Sequence, residues 1–365
     1  MSKTSSRVGI LGGAAVPHAP QLLSVPASED AQQVARVRAK MAEMGEAFRK
    51  LQPDLVITIS NDHGDDFILH AVPPFMFHCG DRARGMDGHA GWWNVDGEAG
   101  YALIEAMMDE GFDPAFTLDA ALGTFFTIPV EYFGYGRNTP IVPLFVNSYV
   151  APQPSPTRCY AFGQALARAL TRIGKSAVII ASGGLSHYPG TARYASPGPD
   201  LDVDKKIYES LAEGNLRYLL SFDAQELDKA GNIELRAWLI LAGALGFERK
   251  PDYAQFEPNW HHTYGLFGWI APDHEEPGRL WYPPTPSHRV ELSRALHRLR
   301  IDPDACRNYL GDPQAYAAGY ELLDDERDAL IGMNEERLRD GLQIHPLLVA
   351  GALRRLDALR RAKQL

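Results

Sequence analysis

Hydrophobic positions recur along this chain of 365 residues with two different periods. From Ser28 to Leu51 they fall at Val34, Val37, Met41, Met44, Phe48 and Leu51, alternating three- and four-residue steps that make one stripe of a helix. Leu55-Val56-Ile57-Thr58-Ile59-Ser60 follows, nearly continuous and β-branched, as expected of a strand covered on both faces. The same order returns with a helix from Tyr160 to Ile173 and a strand from Ala177 to Ala181. Val8 to Val16 predicts a buried first strand and Ile141 to Asn147 another central one. Asn232 is a good N-cap for a strongly apolar helix over Ile233 to Leu245, which puts Glu234 in its first turn. Helices alternating with buried strands predict an α/β fold, a central mixed sheet flanked by helices with functional groups beyond the strand ends.

The pattern changes near Pro272. Residues 1–275 read as the main domain, and 276–288 as a stiff connector carrying Pro277, Pro283, Pro284 and Pro286. Residues 289–365 read as a small all-α domain with helices over 290–299, 303–310, 313–318, 324–333, 334–341 and 346–362; Asp302, Asp312 and Asp324 precede or cap several of them. Such a segment is small for independent stability. It is expected to pack against the larger domain, and the expectation extends to a homodimer or higher homo-oligomer.

Composition narrows the class. With 45% hydrophobic and 22% charged residues the chain can bury a large core, and a net charge of −10 argues against nucleic acid as a partner. The basic tail from Arg354 to Lys363 reads as a solvated helix end. No segment approaches the roughly 20 apolar residues that spanning a bilayer needs, so no membrane partner is expected. Cys79, Cys159 and Cys306 are far apart and never in a C-x-x-C arrangement, which points to neither disulfides nor a zinc knuckle and fits a reducing cytoplasm. If Val8 to Val16 were instead a cleaved signal region, the cut would fall beside His18.

Three short segments carry the candidate chemistry: Val16-Pro17-His18, Asn61-Asp62-His63 and Asn232-Ile233-Glu234. Two imidazoles and one carboxylate, each where the chain enters or leaves a regular element, are the ligand set of a mononuclear Fe(II) oxygenase. The dipole of the helix beginning near Glu234 favours its ionised, metal-binding form. A fourth segment, Gly183-Gly184-Leu185-Ser186-His187, adds a His that can act as a base beside the metal. Taken singly, each His is more often a hydrogen-bonded turn residue, and the Gly pair a tight turn; the joint pattern carries the inference.

With these residues in place the chain resembles the class III extradiol dioxygenases, in the branch of protocatechuate 4,5-dioxygenase and gallate dioxygenase. The motifs are His18 in Val16-Pro17-His18-Ala19-Pro20, the Asn61-Asp62-His63 turn, the Gly183 to His187 segment, Glu234 in Glu234-Leu235-x-x-Trp238-Leu239-Ile240, and His345-Pro346-Leu347 near the C-terminus. The resemblance implies that residues 8 to about 272 correspond to the catalytic subunit, and about 289 to 360 to the family's small helical subunit, here fused. It implies Fe(II) held by His18, His63 and Glu234, O2 as co-substrate, and a small aromatic diol opened outside its two hydroxyls. His187 would take a proton from the substrate and return one. One departure stands out: the family usually has another His in an Asp-His-Gly sequence, and here Ala121-Leu122-Gly123 has Leu122 in its place. Either the substrate needs less help, as a dihydroxypyridine would, or the ring chemistry is altered, or His70, His78 or His89 folds back into that place.

Further candidates are less sharp. His261 and His262 are expected to line the substrate pocket, since the family binds an acidic substituent from this region, with a surface or core pair as the alternative. Thr263, Tyr264 and Arg236 are weaker pocket candidates. Trp92-Trp93 reads as core before ring-stacking platform, and His345 as packing or part of a lid. Asp62 would orient a ligand imidazole or cap its turn. Two competing readings remain: a non-catalytic metal-binding or partner subunit on the same scaffold, and a zinc-dependent hydrolase.

Overall fold

The structure is a computed structural model that describes residues 7–64, 67, 71–187, 199–246, 248–271 and 285–362. The chain divides into two compact units, Met1–Pro272 and Asp273–Leu365. Of the predicted connector, 276–284 lies outside the described residues.

The first unit contains strands β1 (Gly9–Val16), β2 (Leu55–Ser60), β3 (Phe75–His78), β4 (Arg82–Gly85), β5 (Gly91–Asn94), β6 (Ala115–Thr117), β7 (Ile141–Val146), β8 (Ser176–Ser182), β9 (Tyr253–Pro258) and β10 (Thr263–Ile270). Its helices are α1 (Gln21–Ser24), α2 (Ala31–Lys50), α3 (Gly97–Asp109), α4 (Thr124–Tyr132), α5 (Pro156–Arg172), α6 (Leu201–Ala212), α7 (Ala224–Ala230) and α8 (Leu235–Leu245). Eight strands form one mixed sheet in the order β6-β3-β7-β2-β8-β1-β10-β9, and β4 and β5 form a separate ribbon. The middle of the sheet, β7-β2-β8-β1, is parallel, and β10 and β9 continue it antiparallel. Every residue of β2, β7 and β8 is buried, as strands covered on both faces require. One core cluster joins α3, α5 and α8 to the sheet and another joins α2 and α4.

The helical stripe predicted from Ser28 is α2, with Val34, Val37, Met41, Met44 and Phe48 all buried. Asp30 starts it by accepting hydrogen bonds from the backbone N–H groups of Gln32 and Gln33. The apolar helix after Asn232 begins later than expected. Glu234 occupies the N-cap position with φ −78° and ψ −9°, and α8 proper runs from Leu235 with every residue buried. The delay has a physical reason: the Asn232 carbonyl accepts from Leu235 N–H, while the Glu234 side chain turns away from its own helix.

Helices α5 and α8 approach closely because glycine stands at the contact. A Cβ on Gly163 would lie 1.9 Å from the Ile240 carbonyl oxygen, and one on Gly243 2.0 Å from that of Tyr160. Since backbone cannot yield as a side-chain tip can, Gly163→Ala is expected to lower stability by at least about 2 kcal/mol, read as an earlier urea midpoint with an unchanged slope.

The second unit comprises α9 (Val290–Ile301), α10 (Pro303–Gly311), α11 (Pro313–Ala318), α12 (Asp324–Gly332) and α13 (Pro346–Ala362). Leu292, Leu296, Leu299, Tyr309, Leu330 and Leu356 are buried in its own core. Asp302 and Asp312 cap α10 and α11. The helix predicted over 334–341 is reduced to a π-type turn, Arg337–Gly341. Met333, at φ +42°, ends α12, and the Asn334 side chain accepts from the N–H of Arg337.

Candidate metal centre and active site

Parallel strands that point the same way deliver their trailing residues to one edge of the sheet. Here β1 ends just before His18, β2 before Asn61 and His63, β7 before Tyr149, and β8 before Gly183 and His187. Glu234, at the mouth of α8, joins them from outside the sheet. Its Oε1 lies 3.1 Å from His63 Nε2, 3.3 Å from His18 Nε2 and 3.6 Å from His187 Nε2. The same oxygen accepts from the Tyr149 hydroxyl at 2.7 Å and from Asn61 Nδ2 at 3.3 Å. Oε2 is held by the Gly184 N–H at 2.8 Å. A Cβ on Gly183 would lie 2.9 Å from the Glu234 carbonyl oxygen, so the glycine lets the loop pass against the Glu234 backbone.

His18, His63 and Glu234 each offer a ligand atom, all within 4.8 Å of one another. Bonds of about 2.0–2.2 Å to imidazole nitrogen and carboxylate oxygen place neighbouring ligands of an octahedron about 3 Å apart. The two imidazole-to-carboxylate separations therefore suit three ligands on one face. His18 is oriented for this by its other nitrogen, since Nδ1 lies 2.8 Å from Ser182 Oγ, at the end of the neighbouring strand β8.

The electrostatics favour a cation. Burial alone would push the Glu234 carboxyl up, but attraction to His18 and His187 and hydrogen bonds with His18 and His63 outweigh it and hold the group well below the usual carboxylate range. Burial lowers His18 against the opposing pull of Glu234, a shift toward the neutral imidazole that a metal binds. Tyr149 is raised well above the ordinary phenol value, first by burial and then by the adjacent Glu234 charge, so it stays a protonated donor.

The group borders a cavity of about 680 Å³ within the first unit, large enough for a small aromatic ring. Phe125 forms one wall, its ring 4.5 Å from that of His63. His187 lines the cavity, with Nδ1 3.1 Å from the Leu185 carbonyl. Beneath it Ser186 is fixed by buried Asp204, which accepts from the Ser186 N–H at 2.9 Å and hydroxyl at 2.6 Å.

His261 and His262 both line the cavity, joined to each other through their Nδ1 atoms. His261 Nε2 reaches Glu29 at 2.7 Å, and burial holds His262 well below the ordinary imidazole range. Thr263 and Tyr264 do not line it; both are fully buried in β10, because the strand begins there and carries them into the core. Arg236 is also structural, its guanidinium donating to the Pro154 and Ile233 carbonyls. Trp93 is core, and exposed Trp92 stacks under Arg82 instead of the cavity. The Asp62 carboxylate caps its own turn through the Gly64 and Phe67 N–H groups.

Leu122 is fully buried beside the β4–β5 ribbon, outside the cavity lining. Neither candidate replacement reaches the cavity: His78 bonds to the Ala120 carbonyl, and His89 to Thr127 and Glu131. His70 lies outside the described residues. In the second unit, His345 Nδ1 accepts from the Leu347 N–H. Tyr149, Asn61, Ser182, Asp204 and Glu29 were not singled out from the sequence as members of the site. The one available signal for Tyr149 was its place two residues beyond a predicted central strand.

Residues 12–271 match the family model described as the catalytic LigB subunit of aromatic ring-opening dioxygenase. A 2,3-dihydroxyphenylpropionate/2,3-dihydroxicinnamic acid 1,2-dioxygenase of Klebsiella pneumoniae is 31% identical over 62% of this chain and 68% of its own length. The enzyme of the same name from Mycolicibacterium smegmatis is 30% identical over 50% of this chain, and the match spans only 58% of that relative. The crystal structure of an uncharacterized Escherichia coli K12 protein aligns with a TM-score of 0.45 at 12% identity, covering 71% of this chain and 99% of that one. Among the described residues no helix is long and apolar enough to cross a membrane. With the family model covering most of the chain, the protein belongs to the LigB family of catalytic subunits of aromatic ring-opening dioxygenases.

Proposed function

We propose that the protein is an Fe(II)-dependent extradiol dioxygenase acting on a small aromatic diol, with His18, His63 and Glu234 as metal ligands and His187 as acid–base. The observation that carries the reading is the convergence of three imidazole nitrogens and one phenol on Glu234 Oε1, in the lining of a cavity large enough to admit an aromatic ring. A ferrous ion there would leave open positions for two adjacent hydroxyl oxygens and O2, and would pass electron density from ring to oxygen. The chain's own residues do the remainder. Phe125 and His63 bound the space for the ring, while His187 Nε2 is the basic nitrogen, because its Nδ1 hydrogen is committed to the Leu185 carbonyl. His187 would take a proton from one diol hydroxyl and return it to the opened product, and His261 and His262 would contact the substituent.

The substrate class extends to protocatechuate- or gallate-like catechols and to dihydroxypyridines. The relatives' dihydroxyphenylpropionate places a side chain beside the diol and belongs in the same test. The helical second unit would serve as a fused small subunit, in a cytoplasmic homo-oligomer. The deciding experiment is metal analysis combined with oxygen uptake across catechols, gallates, dihydroxyphenylpropionate and dihydroxypyridines, after anaerobic spectral screening for binding. Iron with diol-dependent O2 consumption supports the reading; zinc with O2-independent product, or metal binding without turnover on any diol, refutes it.

One consequence concerns Ser182, the partner of His18 Nδ1. Losing an outer partner of a ligand imidazole typically costs about 10–100-fold in metal affinity. Ser182→Ala is expected to weaken iron binding within that range while leaving the unfolding midpoint of the metal-free protein close to wild type, checked by competitive chelator titration.

A further inference from the structure

A diol seated beside Glu234 would present two oxygens, and His187 can meet one of them. Tyr149 lines the cavity, and its ring stands 4.9 Å from that of His63. Its hydroxyl lies 2.7 Å from Glu234 Oε1 and 3.3 Å from His187 Nε2. A phenol has one hydrogen and here two acceptors, since His187 already spends its Nδ1 hydrogen on the Leu185 carbonyl. We infer that Tyr149 is a further catalytic residue of this site: its O–H is a movable hydrogen-bond donor that meets negative charge on a substrate oxygen.

Three features carry the assignment. Tyr149 emerges from β7, next to β2 in the sheet, so it approaches the ligand group from the side of His63 and not from the Leu122 loop. Its hydroxyl touches both the carboxylate that would hold a metal and the nitrogen that would carry the proton, and a substrate hydroxyl seated between them comes within its reach. Among the described cavity-lining side chains it is the sole hydroxyl that contacts Glu234 or His187. When Glu234 Oε1 is engaged by a cation, the donor is free to swing to His187 Nε2 or to the substrate, a rotation about the C–O bond alone.

The inference rests on the dioxygenase reading, so its test keeps wild-type oxygen uptake as the reference. Tyr149→Phe preserves the ring and deletes only the hydroxyl, and Tyr149→His restores a donor. Removing a preorganised donor to a developing oxyanion costs about 10²–10³-fold in turnover. The expected result is a fall of that size in the single-turnover rate of Tyr149→Phe, with iron content unchanged and the anaerobic Kd for the diol within about threefold of wild type, and partial recovery of the rate in Tyr149→His. Turnover of Tyr149→Phe within threefold of wild type overturns the inference, and so does a loss explained wholly by missing iron or weakened diol binding. An inactive wild type that binds iron without consuming O2 removes the dioxygenase reading itself, a separate outcome.

Discussion

Glu234→Ala is expected to empty the proposed metal site while the protein stays folded. Glu234 is the hub of the cluster: two candidate ligand imidazoles, Tyr149, Asn61 and the Gly184 N–H all bond to its two oxygens. Without it the cation would keep two neutral imidazoles and no charge to offset its own, so affinity should fall by more than the 10–100-fold that an outer partner is worth. Oxygen uptake should drop to background. The fold should survive, because the carboxylate makes no cap to α8, and that helix is anchored by the burial of Leu235 to Leu245 and by the glycine contacts with α5. Metal content by elemental analysis and far-ultraviolet circular dichroism check the two halves together. Glu234→Gln separates charge from shape: it keeps the packing, and equal loss in both variants assigns the effect to the missing charge. Iron at wild-type stoichiometry in Glu234→Ala would remove the ligand assignment, and unfolding would require the comparison to be made with Glu234→Gln.

Much of this arrangement was legible before any coordinates, and the reason is periodicity. Continuous β-branched runs such as Leu55 to Ser60 can be satisfied only in a covered strand, and a His just past such a run is carried to the sheet edge with no further information. That is why His18, His63 and His187 could be located as a set. Glu234 was located too, but not its backbone: the cap was read at Asn232, two residues early, because cap propensity says nothing about a side chain diverted to a cluster. What stayed hidden depends on contacts between distant segments. Ser182 reaches His18 across 164 residues, and Glu29 reaches His261 across 232. Nothing local distinguishes those residues from ordinary polar positions. Thr263 and Tyr264 lie off the cavity for the opposite reason. Proximity in sequence to His261 and His262 suggested a shared wall, yet β10 starts at Thr263 and takes both residues inward.

His187→Phe is expected to keep iron and diol binding and to slow ring opening by about 10²–10⁴-fold, the usual worth of a positioned acid–base. The expectation follows from where the imidazole sits. Its Nε2 is 3.6 Å from Glu234 Oε1, adjacent to the ligand group without being needed to complete it, and the backbone around it is held independently by Ser186 on Asp204. Phenylalanine fills the same volume against the cavity wall, so the loss isolates the nitrogen. Because the variant still binds diol, the spectral change on anaerobic addition should persist at close to the wild-type Kd, and the deficit should appear only when air is admitted. Loss of the spectral change would instead make His187 a binding residue. Turnover within threefold of wild type would transfer proton handling away from His187, and Tyr149, 3.3 Å from the same nitrogen, would be the next group to vary.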